Sequence, residues 1–394
     1  MRCRVCKSKN LKEVINLGKQ PLANKYPKNN YEILSEKKYE LKVLFCKTCK
    51  AGQISKIIDR NLLFKDYYYL SSVNKKLVEH FVTLSKKLTK YDFVVDIGSN
   101  DGILLQPLKK LKINSIGIDP SINVGKIANE RGLKTFIGFF NKKIIEKILK
   151  KYKKPDLVVA SSIITHLKDP IEFAKNIKLF LRENGTLIIE IEYLFNFIKN
   201  FEYERFYFDR PFYYSANSID RLFKNYGMSL YDIEKIDIHG GSLRCYIKNS
   251  KNFTKTKRCI NVLLEEKNNL KLKKFDEFNK KIKTLSKNLK KKIINLNKKN
   301  KYIIGYGAPA RVSTITNVCD INSNLIQYII DDSPLKQNRF SPGKHIPILP
   351  KKNNINRRID IVIVFAFEYF KDIKKNFKDR KVKFYKPIPF KKLL

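Results

Sequence analysis

The stretch Phe93-Val94-Val95-Asp96-Ile97-Gly98-Ser99-Asn100-Asp101-Gly102 constrains the fold more than any other part of the chain. A β-rich run ends in a turn with two glycines, and Ile103-Leu104-Leu105 opens a segment that reads as helix through Leu108 and Leu111. Such a strand–turn–helix suits a nucleotide-type ligand, because glycine lets the ligand approach the backbone and the helix start leaves N–H groups free. Ser115–Asp119 reads as the next strand, followed by Pro120. Asp119 then stands at a strand end, where a carboxylate can accept both ribose hydroxyls. Gly98 and Asp119 are separated by about the ~20 residues that this pairing requires. The turn lacks the G-x-G-x-x-G spacing of dinucleotide folds and carries Asp96 inside the first strand end. Both features favour S-adenosylmethionine (SAM) over NAD.

Around this turn, strands and helices alternate. The pattern predicts strands at 93–97, 115–119, 135–138, 156–160, 186–191, 229–238 and 242–247, hence a mainly parallel sheet covered by helices. Before it, Tyr67-Tyr68-Tyr69 forms an aromatic loop, and Val78, Phe81, Leu84 and Leu88 mark an amphipathic helix. After it, a helical region at 254–299 leads to a second α/β unit. Its strand 302–305 enters the turn Tyr306-Gly307-Ala308-Pro309-Ala310, and 325–331 and 359–365 supply further strands. The expected class is therefore α/β in three parts: a small module at 1–58, a Rossmann-like SAM domain at 59–250 and a second Rossmann-like unit at 251–394.

A net charge of +45 would ordinarily suggest nucleic acid. Here the lysines are spread along the whole chain among many Asn and Ile residues, as a compositional bias produces. Lys271–Lys301 alone is dense, and reads as a solvated helix with Leu285, Leu289, Ile293 and Leu296 on one face. The expectation is no nucleic-acid partner, with a general attraction for anionic small molecules. No apolar run follows Met1-Arg2-Cys3, and the apolar segment near Ile359–Phe367 is far below the ~20 residues that span a bilayer. A soluble cytoplasmic protein with no membrane partner, monomeric or weakly dimeric, is expected.

Four of the seven cysteines form two C-x-x-C hooks, Cys3-Arg4-Val5-Cys6 and Cys46-Lys47-Thr48-Cys49. Each hook sets two thiolates on one tight turn, and two hooks close a tetrahedral zinc site with no open position, so the zinc is expected to be structural. Such a metal would fold a segment too small to hold itself together. Cys245, Cys259 and Cys319 have no such spacing.

Taken in order, these motifs resemble the three-domain nucleotide-sugar C-methyltransferases of deoxysugar pathways, the tylosin- and tetronitrose-type 3-C-methyltransferases. The likeness runs over almost the full length. It comprises Leu17-Gly18 with Pro21-Leu22-Ala23-Asn24, both cysteine hooks, Asp66-Tyr67-Tyr68-Tyr69-Leu70-Ser71-Ser72 with His80, and the turn Asp96–Gly102. His239-Gly240-Gly241-Ser242-Leu243-Arg244, Gly305–Ala310, Asp332-Ser333-Pro334 with Lys336-Gln337, and Pro342–Pro347 complete it. The resemblance implies SAM and structural zinc as cofactors and a nucleotide-linked keto sugar as substrate. It implies that Asp96, Gly98, Ser99, Asn100, Asp101, Gly102, Asp119, Pro120, Phe140, Ser162, Tyr69 and Ser72 serve SAM. Tyr213, Ser242, Arg244, Tyr306, Ala308, Arg311, Lys336 and Arg339 would serve the sugar nucleotide.

One departure bears on the chemistry. Where the family carries Y-H-E-H-L-S-Y-F-S, with its second histidine as general base, this chain has Tyr207-Phe208-Asp209-Arg210-Pro211-Phe212-Tyr213-Tyr214-Ser215. Arginine cannot accept a proton near neutral pH. His239, Asp209 and His166 remain as candidate bases, Arg210 fits an anion or enolate partner, and Tyr207 can donate to an oxyanion. Each also fits a purely structural role. Phe367-Glu368 replaces a typical Trp-Asn. Three functions stay open: C-methylation through an enolate, O-methylation of a sugar hydroxyl, and non-catalytic binding of SAM or a sugar nucleotide.

Overall fold

The computed structural model describes residues 1–59, 62–63, 71–352, 354–377 and 380–394. Tyr69 and the rest of the tyrosine loop at 66–70 lie outside the described residues.

The N-terminal strands β1 (Leu11–Gln20), β2 (Tyr39–Cys46) and β3 (Gly52–Ile54) form an antiparallel meander. The central region adds β4 (Phe93–Ile97), β5 (Asn114–Asp119), β6 (Thr135–Ile137), β7 (Leu157–Ser161) and β8 (Thr186–Glu192). Then follow β9 (Phe212–Tyr213), β10 (Ser229–Ile236) and β11 (Ser242–Lys248). All but β9 build one seven-stranded sheet of order β10-β11-β8-β7-β4-β5-β6. Strands β4 to β8 pair in parallel, while β11 runs antiparallel to β8, and β10 to β11. Every residue of β8 is buried, including Glu190 and Glu192. A central strand covered on both faces must be apolar unless its polar groups are paired.

β9 leaves this sheet and pairs with β3, placing Gly52 opposite Tyr213 and Gln53 opposite Phe212. The helix Leu272–Lys298 also covers the N-terminal sheet. Phe45 and Phe275 have ring centroids 4.8 Å apart, and Asn279 donates to the Val14 carbonyl at 2.7 Å. In space, the N-terminal module therefore does not end at residue 58. Zinc stabilises a sheet that is also built from later chain, which modifies the expectation of a segment organised by metal alone.

The C-terminal strands are β12 (Ile303–Tyr306), β13 (Ile329–Ile330), β14 (Arg339–Phe340), β15 (Pro347–Leu349), β16 (Ile361–Val364), β17 (Lys383–Lys386) and β18 (Lys391–Leu393). Their sheet order is β14-β15-β13-β12-β16-β17-β18, parallel within and antiparallel at both edges. The strand expected over 325–331 shrinks to Ile329–Ile330, because Leu325 and Ile326 are held in a turn on the Asn322 carbonyl. The helical region expected at 254–299 divides into Lys257–Asn269 and Leu272–Lys298. The buried face of the second helix is Phe275, Phe278, Ile282, Ser286, Leu289 and Ile293. Leu285 and Leu296 are only half-buried beside it. Among the described residues, no helix is long and apolar enough to cross a membrane.

Candidate active site

The cofactor turn follows β4. Gly98 has φ +77°, and a Cβ there would lie 2.2 Å from Ile163 side-chain carbons, so the close approach requires glycine. Its N–H donates to the Ile118 carbonyl at 2.7 Å. At the end of β5, the buried Asp119 carboxylate accepts the N–H groups of Asn100 and Ser121, both at 2.9 Å, one on each oxygen. Each oxygen keeps a second lone pair for a ribose hydroxyl. Ser99 is fully buried, with no hydrogen-bond partner for its hydroxyl. Burial, reinforced by the Asp119 and Glu190 carboxylates, pushes Asp96 up to about 8, so it can donate a proton to a hydrogen bond at neutral pH. This glycine cradle, orphan hydroxyl and strand-end carboxylate fit the nucleoside and amino-acid parts of SAM.

Other residues expected around SAM have different surroundings. Asp101 accepts from the Ser72 hydroxyl, from the Ser72 N–H at 3.3 Å and from Arg131 at 3.2 Å, while Asn100 accepts the Ser71 N–H at 2.9 Å. Asp101 and Ser72 thus fasten the preceding segment onto the turn. Gly102 is also left-handed (φ +84°), Pro120 is exposed, and Ser162 is left-handed (φ +59°) with its N–H on the Glu190 carbonyl. Phe140, one of the residues expected to serve SAM, is half-buried and packs edge-on against Phe173 and Phe180, while its neighbour Phe139 is exposed. Asp119→Ala is expected to weaken SAM binding by roughly 2 kcal/mol, about thirtyfold, in calorimetry. Unchanged affinity would remove Asp119 from the ribose.

Two carboxylates at the carboxyl end of β8 organise the rest. Glu190 accepts from His80 at 2.9 Å, from the Ser161 hydroxyl at 2.8 Å and from Arg244 at 2.7 Å. Burial raises its pKa, but His80, Arg244 and Ser161 outweigh burial and hold it below the usual carboxylate range. Arg244 also holds Glu234 at 2.9 Å, and the Ser242 hydroxyl donates to the Ile238 carbonyl at 3.0 Å. Both were expected against the sugar nucleotide, and both are instead buried in the sheet with protein partners.

Glu192 is the second carboxylate. Arg210 grips both of its oxygens, and Arg205 lies 3.8 Å away. Burial raises the Glu192 pKa, but Arg210, Arg205, His239 and His166 together lower it. The Arg210 guanidinium lies over the Tyr207 ring at 4.8 Å. Tyr207 donates its N–H to the Tyr213 hydroxyl at 3.0 Å, and that hydroxyl donates back to the Tyr207 carbonyl at 3.2 Å. Tyr213, expected against the sugar, is buried and its hydroxyl closes this loop on itself. His166 places Nδ1 2.8 Å from the Asp209 carbonyl. A carbonyl only accepts, so Nδ1 carries the hydrogen of this contact. The Asp209 carboxylate accepts from Asn24 at 2.6 Å, which explains how the Pro21–Asn24 motif of the N-terminal module reaches the site. His239 has φ +50° in the turn before Gly240, whose missing Cβ leaves room for Arg205. Burial, with Arg210 and Arg205, lowers the His239 pKa against the pull of Glu192, so the ring is neutral at pH 7.

The C-terminal unit repeats the cofactor-turn geometry. Gly307 has φ +79° and donates its N–H to the Ile330 carbonyl at 2.7 Å, as Gly98 does to Ile118. Asp331 accepts the N–H groups of Ala308 and Ser333, as Asp119 accepts those of Asn100 and Ser121. Tyr306 donates to Asp332 at 3.1 Å, and Lys336 donates to the Ala308 carbonyl at 3.0 Å. The Tyr26 hydroxyl also donates to the Ala308 carbonyl, at 2.7 Å, and Arg339 donates to the Tyr26 carbonyl at 3.3 Å. Ala308 and Arg339 thus brace this turn against Tyr26 of the N-terminal module, with Lys336 over the Tyr26 ring at 5.6 Å, while Tyr306 stays within the C-terminal unit. Arg311, at the start of the helix Arg311–Val318, pairs with Glu368 at 2.6 Å.

The four hook sulfurs lie within 4.8 Å of one another, with Cys3–Cys49 at 3.7 Å and Cys6–Cys46 at 3.6 Å. A tetrahedron with Zn–S bonds of about 2.3 Å has edges of about 3.8 Å, so the thiols fit zinc. The two hooks are alike: Lys7 and Lys50 are both left-handed, and their N–H groups return to the Cys3 and Cys46 carbonyls at 2.8 Å.

Three family models match in succession: a zinc binding domain over residues 3–64, a methyltransferase domain over 69–233 and a C-methyltransferase C-terminal domain over 237–389. Together the three models span nearly the whole chain and give it the domain set of a methyltransferase with a zinc-binding module and a C-methyltransferase C-terminal domain. C-methyltransferase NovU of Streptomyces niveus is 25% identical over 98% of this chain and 95% of its own. Ubiquinone biosynthesis O-methyltransferase of Pelagibacter ubique (strain HTCC1062) is 27% identical over 30% of this chain and 49% of its own. The crystal structure of magnesium protoporphyrin IX methyltransferase from Synechocystis PCC 6803 with bound SAH aligns at 13% identity and a TM-score of 0.37. It covers 48% of this chain and 93% of that one, a likeness too low to carry weight. The protein is a SAM-dependent methyltransferase with a zinc-binding module. The methyltransferase model ends at residue 233, inside β10, and the C-terminal model begins at 237, although the central sheet keeps both β10 and β11.

Glu190, Glu192, Arg205 and Tyr26 were not among the expected site residues. Glu190 and Glu192 had a signal in the sequence: two carboxylates two positions apart on an otherwise apolar strand share one face and need buried partners.

Proposed function

We propose that this C-methyltransferase methylates the carbon beside the ketone of a nucleotide-linked 4-keto sugar. The observation that carries this reading is the cluster on Glu192. Two guanidiniums, Arg210 on both oxygens and Arg205 at 3.8 Å, meet a buried carboxylate at the carboxyl end of the parallel strands, on the side of the sheet where the cofactor turn opens, and the fields of His239 and His166 reach it. SAM supplies an electrophilic methyl group. Neutral His239 takes the C3 proton, and the Glu192 carboxylate in its field stabilises the imidazolium that forms. Electrons of the broken C–H bond pass to the carbonyl oxygen as an enolate. N–H groups of Arg210 not engaged by Glu192 stabilise that oxygen. SAM held at the Gly98–Gly102 turn and Asp119 would offer its methyl group to that enolate carbon. Asp209, held by Asn24, positions His166 through its backbone carbonyl. The turn of β12 with Arg311 takes the nucleotide diphosphate.

The test is incubation with SAM and a panel of nucleotide-linked 4-keto sugars in deuterated water, read by mass spectrometry. One added methyl group, with deuterium washed into C3 when SAM is omitted, is the expected result. Methylation without exchange would assign the methyl to oxygen, and neither would reduce the protein to a binder.

A further inference from the structure

We infer that Glu368 is a built-in competitor for the anionic part of the substrate, occupying the two guanidiniums that would receive it. This rests on the reading that the acceptor is nucleotide-linked. Glu368 sits on the short turn Phe367–Tyr369 that follows β16. A single oxygen of it, Oε1, accepts from Arg311 of the C-terminal unit at 2.6 Å and from Arg205 of the central unit at 3.3 Å. The two cations thus converge on one point from opposite sides of the junction between units. Arg205 is buried and also binds Glu202 at 3.2 Å. Among the described residues, the buried Nη1 of Arg311 has no hydrogen-bond partner. The Phe367 ring carries Arg311 at 4.7 Å and Lys386 at 4.1 Å, which brings a third cation to the same place.

Two guanidiniums meeting at a single anionic oxygen, with an N–H group left over, form a receptor for phosphate. In this chain a side-chain carboxylate fills it. Burial raises the pKa of Glu368, but Arg311 and Arg205 outweigh burial, so the group stays ionised and protonation does not clear the site. A diphosphate must displace it. With more charge and more acceptor oxygens than a carboxylate, a diphosphate can do so, whereas a singly charged anion of carboxylate type gains nothing by the exchange. Glu368 therefore sets a threshold of charge for the acceptor. It also ties substrate arrival to release of a contact between the two units.

Calorimetry at low salt with two probes, inorganic pyrophosphate and UDP, tests the inference on the full chain. Glu368→Gln and, independently, Glu368→Asn are each expected to bind both probes about tenfold more tightly than the natural protein, because one competing charge is gone. Either variant suffices if the other folds poorly. Arg311→Ala is expected to weaken both probes. If Arg311→Ala weakens binding while neither Glu368 variant strengthens it, Glu368 is no competitor and the nucleotide reading stands. If neither the natural protein nor the Glu368 variants bind either probe, the nucleotide reading fails and this inference fails with it.

Discussion

Arg210→Ala is expected to lower methyl transfer about a hundredfold, as for one lost charge-stabilising donor. It is also expected to destabilise the fold by about 3–5 kcal/mol, because Glu192 is left buried with less compensation. Arg205, at 3.8 Å, remains near Glu192 and keeps the cost toward the lower figure. The two effects can be separated. Replacing the pair together, Arg210→Met with Glu192→Met, removes both buried charges and is expected to recover most of the stability in a denaturant titration. Activity is not expected to return, because the oxyanion donor and the carboxylate beside His239 are both absent. Recovery of activity in the double variant would make the pair a structural element and place the chemistry elsewhere. A single Arg210→Ala variant with full rate and full stability would remove both roles. Arg210→His tests the reverse direction. The ring would meet Glu192 in a pocket shaped around a guanidinium, so recovery of the family's proton acceptor is not expected.

Local pattern made most of the central sheet legible. The runs at 93–97, 115–119 and 186–191 are apolar, bounded by turn residues, and fold within one residue of the expected limits. The cofactor turn and zinc hooks were equally legible, because glycine and paired cysteines each satisfy one local geometric demand. What escaped was long-range. β9 is two residues long, and nothing in Phe212-Tyr213 announces that it will pair with Gly52 and Gln53. Arg244 and Ser242 lie in a motif that suggests a ligand, yet β11 turns both inward, where Glu190 and the Ile238 carbonyl take their donors. Phe140 and Phe139 differ by one position, and packing against Phe173 and Phe180 decides which ring is drawn partly into the core. A motif fixes residue identity, whereas the facing of each side chain depends on contacts that are distant in sequence.

Removing the zinc is expected to abolish methyl transfer while leaving SAM binding nearly intact. The apparent free energy of a structural zinc site is large, on the order of 10–16 kcal/mol in small zinc-binding peptides, and is spent on folding its ligand loops. Here the loop Cys46–Cys49 leads directly into β3, where the Cys46 N–H donates to the Ala51 carbonyl at 2.8 Å. β3 in turn holds β9, and β9 continues from Tyr207, Asp209 and Arg210. The same module supplies Asn24 to Asp209 and Tyr26 to the β12 turn. Loosening it removes three supports of the substrate side at once. The cofactor turn hangs on β4, β5 and Asp119 in the seven-stranded sheet, which has no strand in common with the N-terminal sheet. Cys46→Ala is therefore expected to lose zinc by metal analysis and to lower the rate more than a hundredfold. Amide exchange at Phe212 and Tyr213 should accelerate, and SAM affinity by calorimetry should change by less than about threefold. Retention of zinc in this variant would overturn the four-cysteine assignment. Parallel loss of SAM binding would show that the two sheets do not fold independently, and that zinc holds the whole enzyme and not its substrate side.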